Sequence, residues 1–209
     1  MRVLLTGFEP FADIAVNPSQ CIVEHFQAQR RDDLITRILP TEYQRAGDCL
    51  AEAIREYQPD AVISLGVAQS RKTISIERIA VNVDDAAIAD NAGHLASGER
   101  IAEDGPVAYW STLPMEAMKA ALEAHNIPVS ISNHAGAYIC NHAFYTARHT
   151  LETLGRAIPC GFIHVPDLLK IEEAESTTTT GLPLDVMIEG VELCLNVLNN
   201  GQSEGTLNG

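Results

Sequence analysis

The sequence is short of basic residues and of long apolar runs. Lys and Arg number 14 against 28 Asp and Glu, which gives a formal net charge of −14. Nucleic acids and anionic membranes bind proteins through basic surfaces, so this charge argues against both as partners. The apolar run in MRVLLTGFEPFAD is too short for a secretion signal or a membrane span.

The chain also lacks paired cysteines. Its five cysteines are scattered, and none forms a CxxC pair. A disulfide framework needs an even number of cysteines. A zinc site needs ligands at a familiar spacing, and neither the cysteines nor the seven histidines show one. The pattern indicates free thiols in a reducing cytoplasm, with no metal or other cofactor. The cysteines are Cys21, Cys49, Cys140, Cys160 and Cys194.

The overall composition is that of a soluble globular protein, with 46% apolar and 20% charged residues. One domain of this length buries about 70% of the surface that its unfolded chain exposes. Neither a linker nor an internal repeat divides the sequence. We therefore predict a single domain over residues 1–209, in which about 200–209 form a disordered tail and 172–180 a low-complexity loop.

Strands and helices alternate along the chain. Asn17 and Thr41 are the expected N-caps of the first two helices. This order predicts one α/β domain with a largely parallel sheet and helices on both of its faces. The predicted strands are RVLLTG, LITRILP, DAVISLG, a strand within KTISIERIAVNVDD, IPVSIS and IPCGFIHV, and the predicted helices cover about 18–29, 41–57, 114–125, a segment containing Cys140, and 183–199.

Two segments depart from regular patterns. Within KTISIERIAVNVDD the apolar alternation changes phase at Glu77 and Arg78, which predicts a bulge or a tight turn there. Residues 84–112 show no periodicity, and loops of that length are usually functional or mobile.

In parallel sheets, ligands bind beyond the carboxyl ends of the strands. The segments expected at those ends are Gly7, Gly66, Glu77, the turn 132–138 and His164. Any chemistry should therefore be found among these residues and their neighbours.

Cys140 is the first candidate for that chemistry. It lies on the apolar stripe of its helix, as a buried core cysteine would. It also lies in the first helical turn, and the preceding residues HAGAYI include no Ser, Thr, Asp or Asn that could cap that turn. The unpaired amides of that turn favour a thiolate or a substrate oxyanion. With an unperturbed pKa near 8.5, a catalytic thiol would need a base.

His164 is the best candidate for the base. It stands near the end of an apolar strand, where it is either a satisfied core residue or the group that deprotonates Cys140. Glu77 is either an exposed charge or the acidic group that orients the imidazole. The residues alone leave these alternatives open.

Seven motifs resemble, in order, those of the type I pyroglutamyl peptidases, which are cysteine exopeptidases. The resemblance covers residues 3 to about 195. It implies a three-layer α/β/α sandwich of the phosphorylase/hydrolase kind with a mixed, mostly parallel sheet, and assembly into homodimers or homotetramers. The motifs are TGFEPF, NPS, LPT, ERIAVNVDD, EDGPVAYWSTLP, SNHAGAYICN and GFIHVP.

The resemblance also implies which residues act. It gives a Cys140–His164–Glu77 triad that removes an N-terminal pyroglutamate from peptides. A second set would contact the substrate ring, with Asn17 meeting its amide and Val67 acting through its backbone. That set is Phe8, Phe11, Asn17, Thr41, Val67, Ile88, Tyr138 and Ile139.

Three positions depart from the family pattern. Val67 replaces a glutamine, Ala87 replaces an arginine near the active site, and Tyr138 stands where phenylalanine is commoner. The loss at Ala87 motivates an alternative function, a weakened relative that binds lactam-capped peptides without turnover. A nucleoside phosphorylase is disfavoured because no Gly-rich or basic cluster is placed to bind phosphate.

Overall fold

The computed structural model describes residues 1–12, 14–169 and 181–205, with side chains up to 201. The predicted loop 172–180 and residues 206–209 lie outside the described residues. The helices are α1 (Pro18–Ala28), α2 (Tyr43–Tyr57), α3 (Met115–Ala124), α4 (Ile139–Thr153) and α5 (Leu184–Gly205). The strands are β1 (Val3–Phe8), β2 (Leu34–Leu39), β3 (Ala61–Val67), β4 (Ile74–Val81), β5 (Asp84–Asp85), β6 (Ser97–Glu99), β7 (Ala108–Trp110), β8 (Val129–His134), β9 (Cys160–Val165), β10 (Asp167–Leu168) and β11 (Gly181–Leu182).

The central sheet is mixed and mostly parallel. Its strands follow the order β2-β1-β3-β9-β4-β7, and β8 also pairs with β4. The first four strands in this order run parallel to one another, whereas β4 runs antiparallel to β9 and β7 and parallel to β8. The α/β fold predicted from the sequence is confirmed.

Helices cover both faces of the sheet. On one face α2 and α4 contribute Leu50, Ile54 and Phe144 to a cluster with Phe162 of β9. On the other, α1, α3 and α5 pack apolar side chains against β1, β3 and β9. Because helices cover both faces, β1, β3 and β9 are fully buried along their length, and their residues are mainly apolar.

The two predicted helix caps have different outcomes. Asn17 caps α1 as expected, since its Oδ1 accepts a hydrogen bond from Ser19 N at 3.1 Å. The prediction for Thr41 was wrong: α2 starts at Tyr43 behind Glu42, which makes no side-chain cap bond. The Thr41 hydroxyl instead donates to the Glu9 carbonyl at 2.9 Å, and this bond connects two loops.

The bulge or turn predicted at Glu77 and Arg78 is absent from β4, which is described in full. The strand keeps one register along β8, from Ile74 opposite Val129 to Ile79 opposite His134. On its other side, β4 changes partner from β9 to β7. Its first half is buried on both faces and its second half is partly exposed, so the apolar pattern changes without a break in the strand.

The C-terminal helix is longer than expected. It continues to Gly205, whereas the sequence predicted an end near residue 199. The strands β10 and β11 pair in parallel on either side of the undescribed segment 170–180. None of the described helices is both long and apolar enough to span a bilayer.

Candidate active site

A small cavity of about 130 Å³ opens where β1, β3 and β9 end. It brings together both Cys140 and His164 and all but one of the predicted ring-contact residues, and it adds Ala135. Its walls are mainly apolar, with a few polar groups, as expected for a site that binds a small uncharged ring. The lining residues are Phe8, Phe11, Asn17, Thr41, Val67, Ala135, Tyr138, Ile139, Cys140 and His164.

Cys140 is the second residue of α4, and the start of this helix is uncapped. The N-cap residue Tyr138 makes no side-chain cap bond, as the sequence predicted. Amides of the first turn, including that of Cys140, therefore remain available to a ligand. Burial raises the pKa of the Cys140 thiol to about 12, and the Glu77 carboxylate adds to the rise. At neutral pH the thiol is protonated and can react only with the help of a base.

His164 is suited to act as that base. It is 4% exposed, and its Nδ1 lies 2.7 Å from Glu77 Oε1. A carboxylate can only accept, so Nδ1 carries the hydrogen and Nε2 remains free to accept a proton. Burial lowers the pKa of the imidazole, although the hydrogen bond to Glu77 opposes this. The base is thus neutral at physiological pH.

Glu77 is fully buried, with 0% exposure. Burial alone would raise the pKa of its carboxyl, but the hydrogen bond from His164 and the charge of Arg71 lower it below the usual value. Arg71 Nη1 donates to Glu77 Oε1 at 2.5 Å. The carboxyl is therefore ionised in the folded protein.

Sequence reasoning missed Arg71. The residue lies in the polar segment AQSRK between β3 and β4, where nothing in the sequence distinguishes it from the neighbouring Lys72. Its proximity to Glu77 becomes visible only when the strand pairing is known.

The route by which Glu77 reaches the site differs from the expectation. Carboxyl ends meet at one edge only when strands are parallel, and β4 and β8 run opposite to β9. Ser75 stands opposite His164 in the ladder, and Glu77 lies two residues further along β4. The carboxylate therefore meets the imidazole diagonally from within a strand.

The loop between Phe8, the last residue of β1, and Phe11 is fixed by hydrogen bonds to Glu9. The Glu9 carbonyl accepts from Asn17 Nδ2 at 3.1 Å and from Thr41 Oγ1 at 2.9 Å. Asn17 Oδ1 is already occupied by Ser19, so the second hydrogen on its amide nitrogen is what it can offer a ligand.

The segment 86–96 is attached to the cavity wall from two sides. Tyr138 Oη donates to the Ala89 carbonyl at 3.1 Å. Asn91 donates from Nδ2 to the Pro10 carbonyl at 3.0 Å and from its amide to the Thr41 carbonyl at 3.0 Å. Ile88, expected to contact the ring, is 46% exposed and does not line the cavity, because the segment is anchored through its neighbours.

The two histidines of α4, His142 and His149, have partners outside the cavity. His142 Nδ1 lies 2.6 Å from Asp84 Oδ2, and His149 Nδ1 lies 2.9 Å from Tyr109 Oη. Among the described residues, no group of three or more potential ligands could hold a metal ion.

Residues 1–200 match the family model described as pyroglutamyl peptidase. The chain belongs to this family. The pyrrolidone-carboxylate peptidase of Oceanobacillus iheyensis is 40% identical over 200 residues, which are 95% of this chain and 99% of the relative. The pyrrolidone-carboxylate peptidase of Vibrio campbellii is 38% identical over 206 residues, which are 97% of this chain and 95% of the relative.

Solved structures of pyroglutamyl peptidases have the same fold. A mutant pyrrolidone carboxyl peptidase from Pyrococcus furiosus superposes with a TM-score of 0.88 at 35% identity, over 96% of this chain and 99% of that chain. Pyroglutamyl peptidase I from Bacillus amyloliquefaciens superposes with a TM-score of 0.86 at 33% identity, over 94% of each chain.

The first prediction concerns Gly66 on β3. A Cβ at this position would lie 2.7 Å from both Cys140 Sγ and Phe162 Cζ. We expect Gly66→Ala to cost about 1–3 kcal/mol of unfolding free energy through overpacking. Because the sulfur must move, alkylation of Cys140 by iodoacetamide should change at least ~3-fold in rate. Gly201→Ala is the control, since a Cβ there meets open space. An unaltered alkylation rate in a folded Gly66→Ala would show that Sγ does not rest against β3.

The second prediction concerns the Tyr138 hydroxyl. Tyr138→Phe removes one bond to segment 86–96, worth about 0.5–1.5 kcal/mol. Hydrogen exchange at the Asp90 and Asn91 amides should become roughly 2- to 10-fold faster. Tyr145→Phe is the matched control, because it removes a bond to the Pro106 carbonyl instead. Equal exchange at Asp90 and Asn91 in Tyr138→Phe and the unmodified protein would contradict the anchoring role.

Proposed function

We propose that this protein is a cysteine peptidase that hydrolyses the amide bond between an N-terminal pyroglutamate and the next residue of a peptide. The observation that carries the proposal is the buried His164–Glu77 pair beside a thiol at an uncapped helix start. The family match over residues 1–200 supports it.

In the first half of the reaction, Cys140 becomes acylated. His164 Nε2 takes the thiol proton as Sγ attacks the carbonyl carbon of pyroglutamate. Amides at the start of α4 stabilise the resulting oxyanion. The tetrahedral intermediate collapses when the C–N bond breaks, and His164 gives its proton to the leaving amine. The products of this half are a thioester on Cys140 and the shortened peptide.

In the second half, water replaces the amine. His164 removes a proton from water, the hydroxide attacks the thioester carbonyl, and the C–S bond breaks. Free pyroglutamate leaves and the thiolate recovers its proton from His164. Glu77 transfers no proton; it orients the imidazole and stabilises the imidazolium that forms in each half.

The walls of the cavity account for the choice of substrate. Phe8, Phe11 and Ile139 enclose the ring in apolar surface, and the free amide hydrogen of Asn17 can bond the lactam oxygen. A neutral lactam fits such a site, whereas an ammonium or a carboxylate would be buried without a partner.

A cytoplasmic location and assembly into homodimers or homotetramers complete the proposal. Five free thiols suit a reducing compartment. Trp110 on β7 is 61% exposed and Val107, which precedes β7, is 79% exposed, and such apolar exposure suits a surface that another copy of the chain covers. The alternative, a relative that binds without turnover, is not favoured, because nucleophile, base and acid are all present in the chain.

The third prediction tests the nucleophile. Cys140→Ser keeps the shape of the side chain but weakens the nucleophile, so kcat on a pyroglutamyl-coumarin amide should fall at least ~10³-fold. Cys49→Ser, at an exposed thiol, is the control and should retain full activity. Loss of activity in the Cys49 variant, or its retention in the Cys140 variant, would refute the assignment.

The fourth prediction tests the substrate. Coumarin amides of pyroglutamate, proline, glutamate and glutamine are compared by kcat/KM. The last three carry an ammonium at neutral pH, and burying it costs several kcal/mol, each ~1.4 kcal/mol being tenfold in rate. Pyroglutamate should be preferred over proline by more than ~10²-fold. A smaller preference would disprove the assigned pocket.

A further inference from the structure

Arg71 and His164 share one oxygen of Glu77. Arg71 Nη1 lies 2.5 Å from Glu77 Oε1, and His164 Nδ1 lies 2.7 Å from the same atom. Arg71 Nη2 also donates to Ser132 Oγ on β8 at 3.2 Å, which fixes the plane of the guanidinium. The Arg71 side chain is 27% exposed, whereas that of Glu77 is 0% exposed. The cation thus lies on the rim of the site and its partner within it.

We propose that Arg71 is a positioning residue of the catalytic machinery, which neutralises Glu77 and thereby keeps His164 uncharged in the resting enzyme. The inference rests on the proposed function, in which Cys140 is the nucleophile and His164 its base. The enzyme then starts from a neutral thiol and a neutral imidazole, not from a thiolate–imidazolium pair.

The count of buried charges supports this resting state. With Arg71 present, the carboxylate of Glu77 is already balanced, so a proton on His164 would add an uncompensated positive charge in a buried site. Without Arg71, the same proton would create a neutral Glu77–His164 ion pair. Arg71 therefore decides whether the imidazolium is favourable at rest.

The direction of the His164 pKa agrees with this geometry, whereas the protonated state of the Cys140 thiol follows from its burial. Burial lowers the pKa of His164, and the charge of Arg71 lowers it further, against the effect of Glu77. Burial raises the pKa of Cys140, and the charge of Arg71 only partly opposes this.

The other elements around the site add no further cation to these effects. Tyr138, at the start of α4, is the remaining titratable group on the cavity wall, and burial raises the pKa of its phenol to about 12. β3 presents Gly66 and β8 presents Ser132, neither of which is charged. Ala87 occupies the position of the family arginine. Among the described residues, Arg71 is the one cation whose charge acts on the pKa of both Cys140 and His164.

The effect on pH dependence has a definite sign. On the acid side, one proton leaves either the His164 imidazolium or the Cys140 thiol, and either loss makes the site less positive by one charge. A neighbouring cation favours the less positive state, so it lowers the pKa of this step. Removing Arg71 must therefore move the acid limb of activity to higher pH.

The fifth prediction compares Arg71→Met, Arg71→Lys and Arg78→Met. Arg78 is the control, since it bonds Asn133 on the same strand pair at 2.6 Å. Two profiles are measured against pH: kcat/KM, and the rate at which iodoacetamide alkylates Cys140, followed by mass spectrometry. In Arg71→Met the apparent pKa of the acid limb should be about one unit higher in both profiles. In Arg71→Lys and Arg78→Met this pKa should stay within about 0.3 unit of that of the unmodified enzyme.

The inference would be overturned if the apparent pKa of the acid limb were unchanged or lower in Arg71→Met, or if Arg71→Lys shifted it equally. If Arg71→Met does not fold, a measurement on the unmodified protein still tests the inference. The ultraviolet thiolate absorbance of the unmodified protein, minus that of Cys140→Ser, should be absent at pH 7. One thiolate per chain there would refute the neutral resting state.

The alkylation profile needs no peptidase substrate. If pyroglutamyl amides are not cleaved but the alkylation limb shifts as expected, the proposed function fails and the role of Arg71 stands. If the amides are cleaved but neither limb moves, the proposed function stands and the role of Arg71 fails.

Discussion

The site depends on the buried hydrogen bond between His164 and Glu77. A carboxylate with 0% exposure would be costly without partners, and its Oε2 finds none among the described residues. The charge is tolerated because Oε1 receives both His164 and Arg71. That meeting depends on the register of β4 against β9, which sets Ser75 opposite His164 and Glu77 on the diagonal. The register of one strand pair is thus a condition for the chemistry.

A second constraint shapes the pocket, and it is centred on Glu9. Its carbonyl accepts from Asn17 and Thr41, and its carboxylate accepts from the Thr41 amide at 3.1 Å and from Asn91 Nδ2 at 3.2 Å. These bonds join three segments that are distant in sequence. The aromatic walls at Phe8 and Phe11 flank this residue, so their positions follow from it. A pocket fixed by several bonds to one residue loses little entropy when it closes on a ligand.

Local patterns in the sequence revealed what is local in the structure. Cys140 at an uncapped helix start, Asn17 as a cap and the apolar strand that carries His164 were all readable within a few residues. Features that depend on pairing between distant segments could not be predicted from such short stretches of sequence. The sequence does not show that β4 changes partner from β9 to β7, so the change in its apolar alternation predicted a bulge that the strand lacks. Thr41 has the chemistry of a cap, but its hydroxyl bonds Glu9. Arg71 looked like any charged residue of a turn.

Uncharged side chains attach segment 86–96 to the cavity wall. The Tyr138 hydroxyl bonds the Ala89 carbonyl on one side of the segment. Asn91 attaches the far side of the same segment to Pro10 and Thr41. The anchoring is supplied by a phenol and an amide, neither of which adds charge to the cavity. The charge balance of the site is then set by Arg71, through its bond to Glu77.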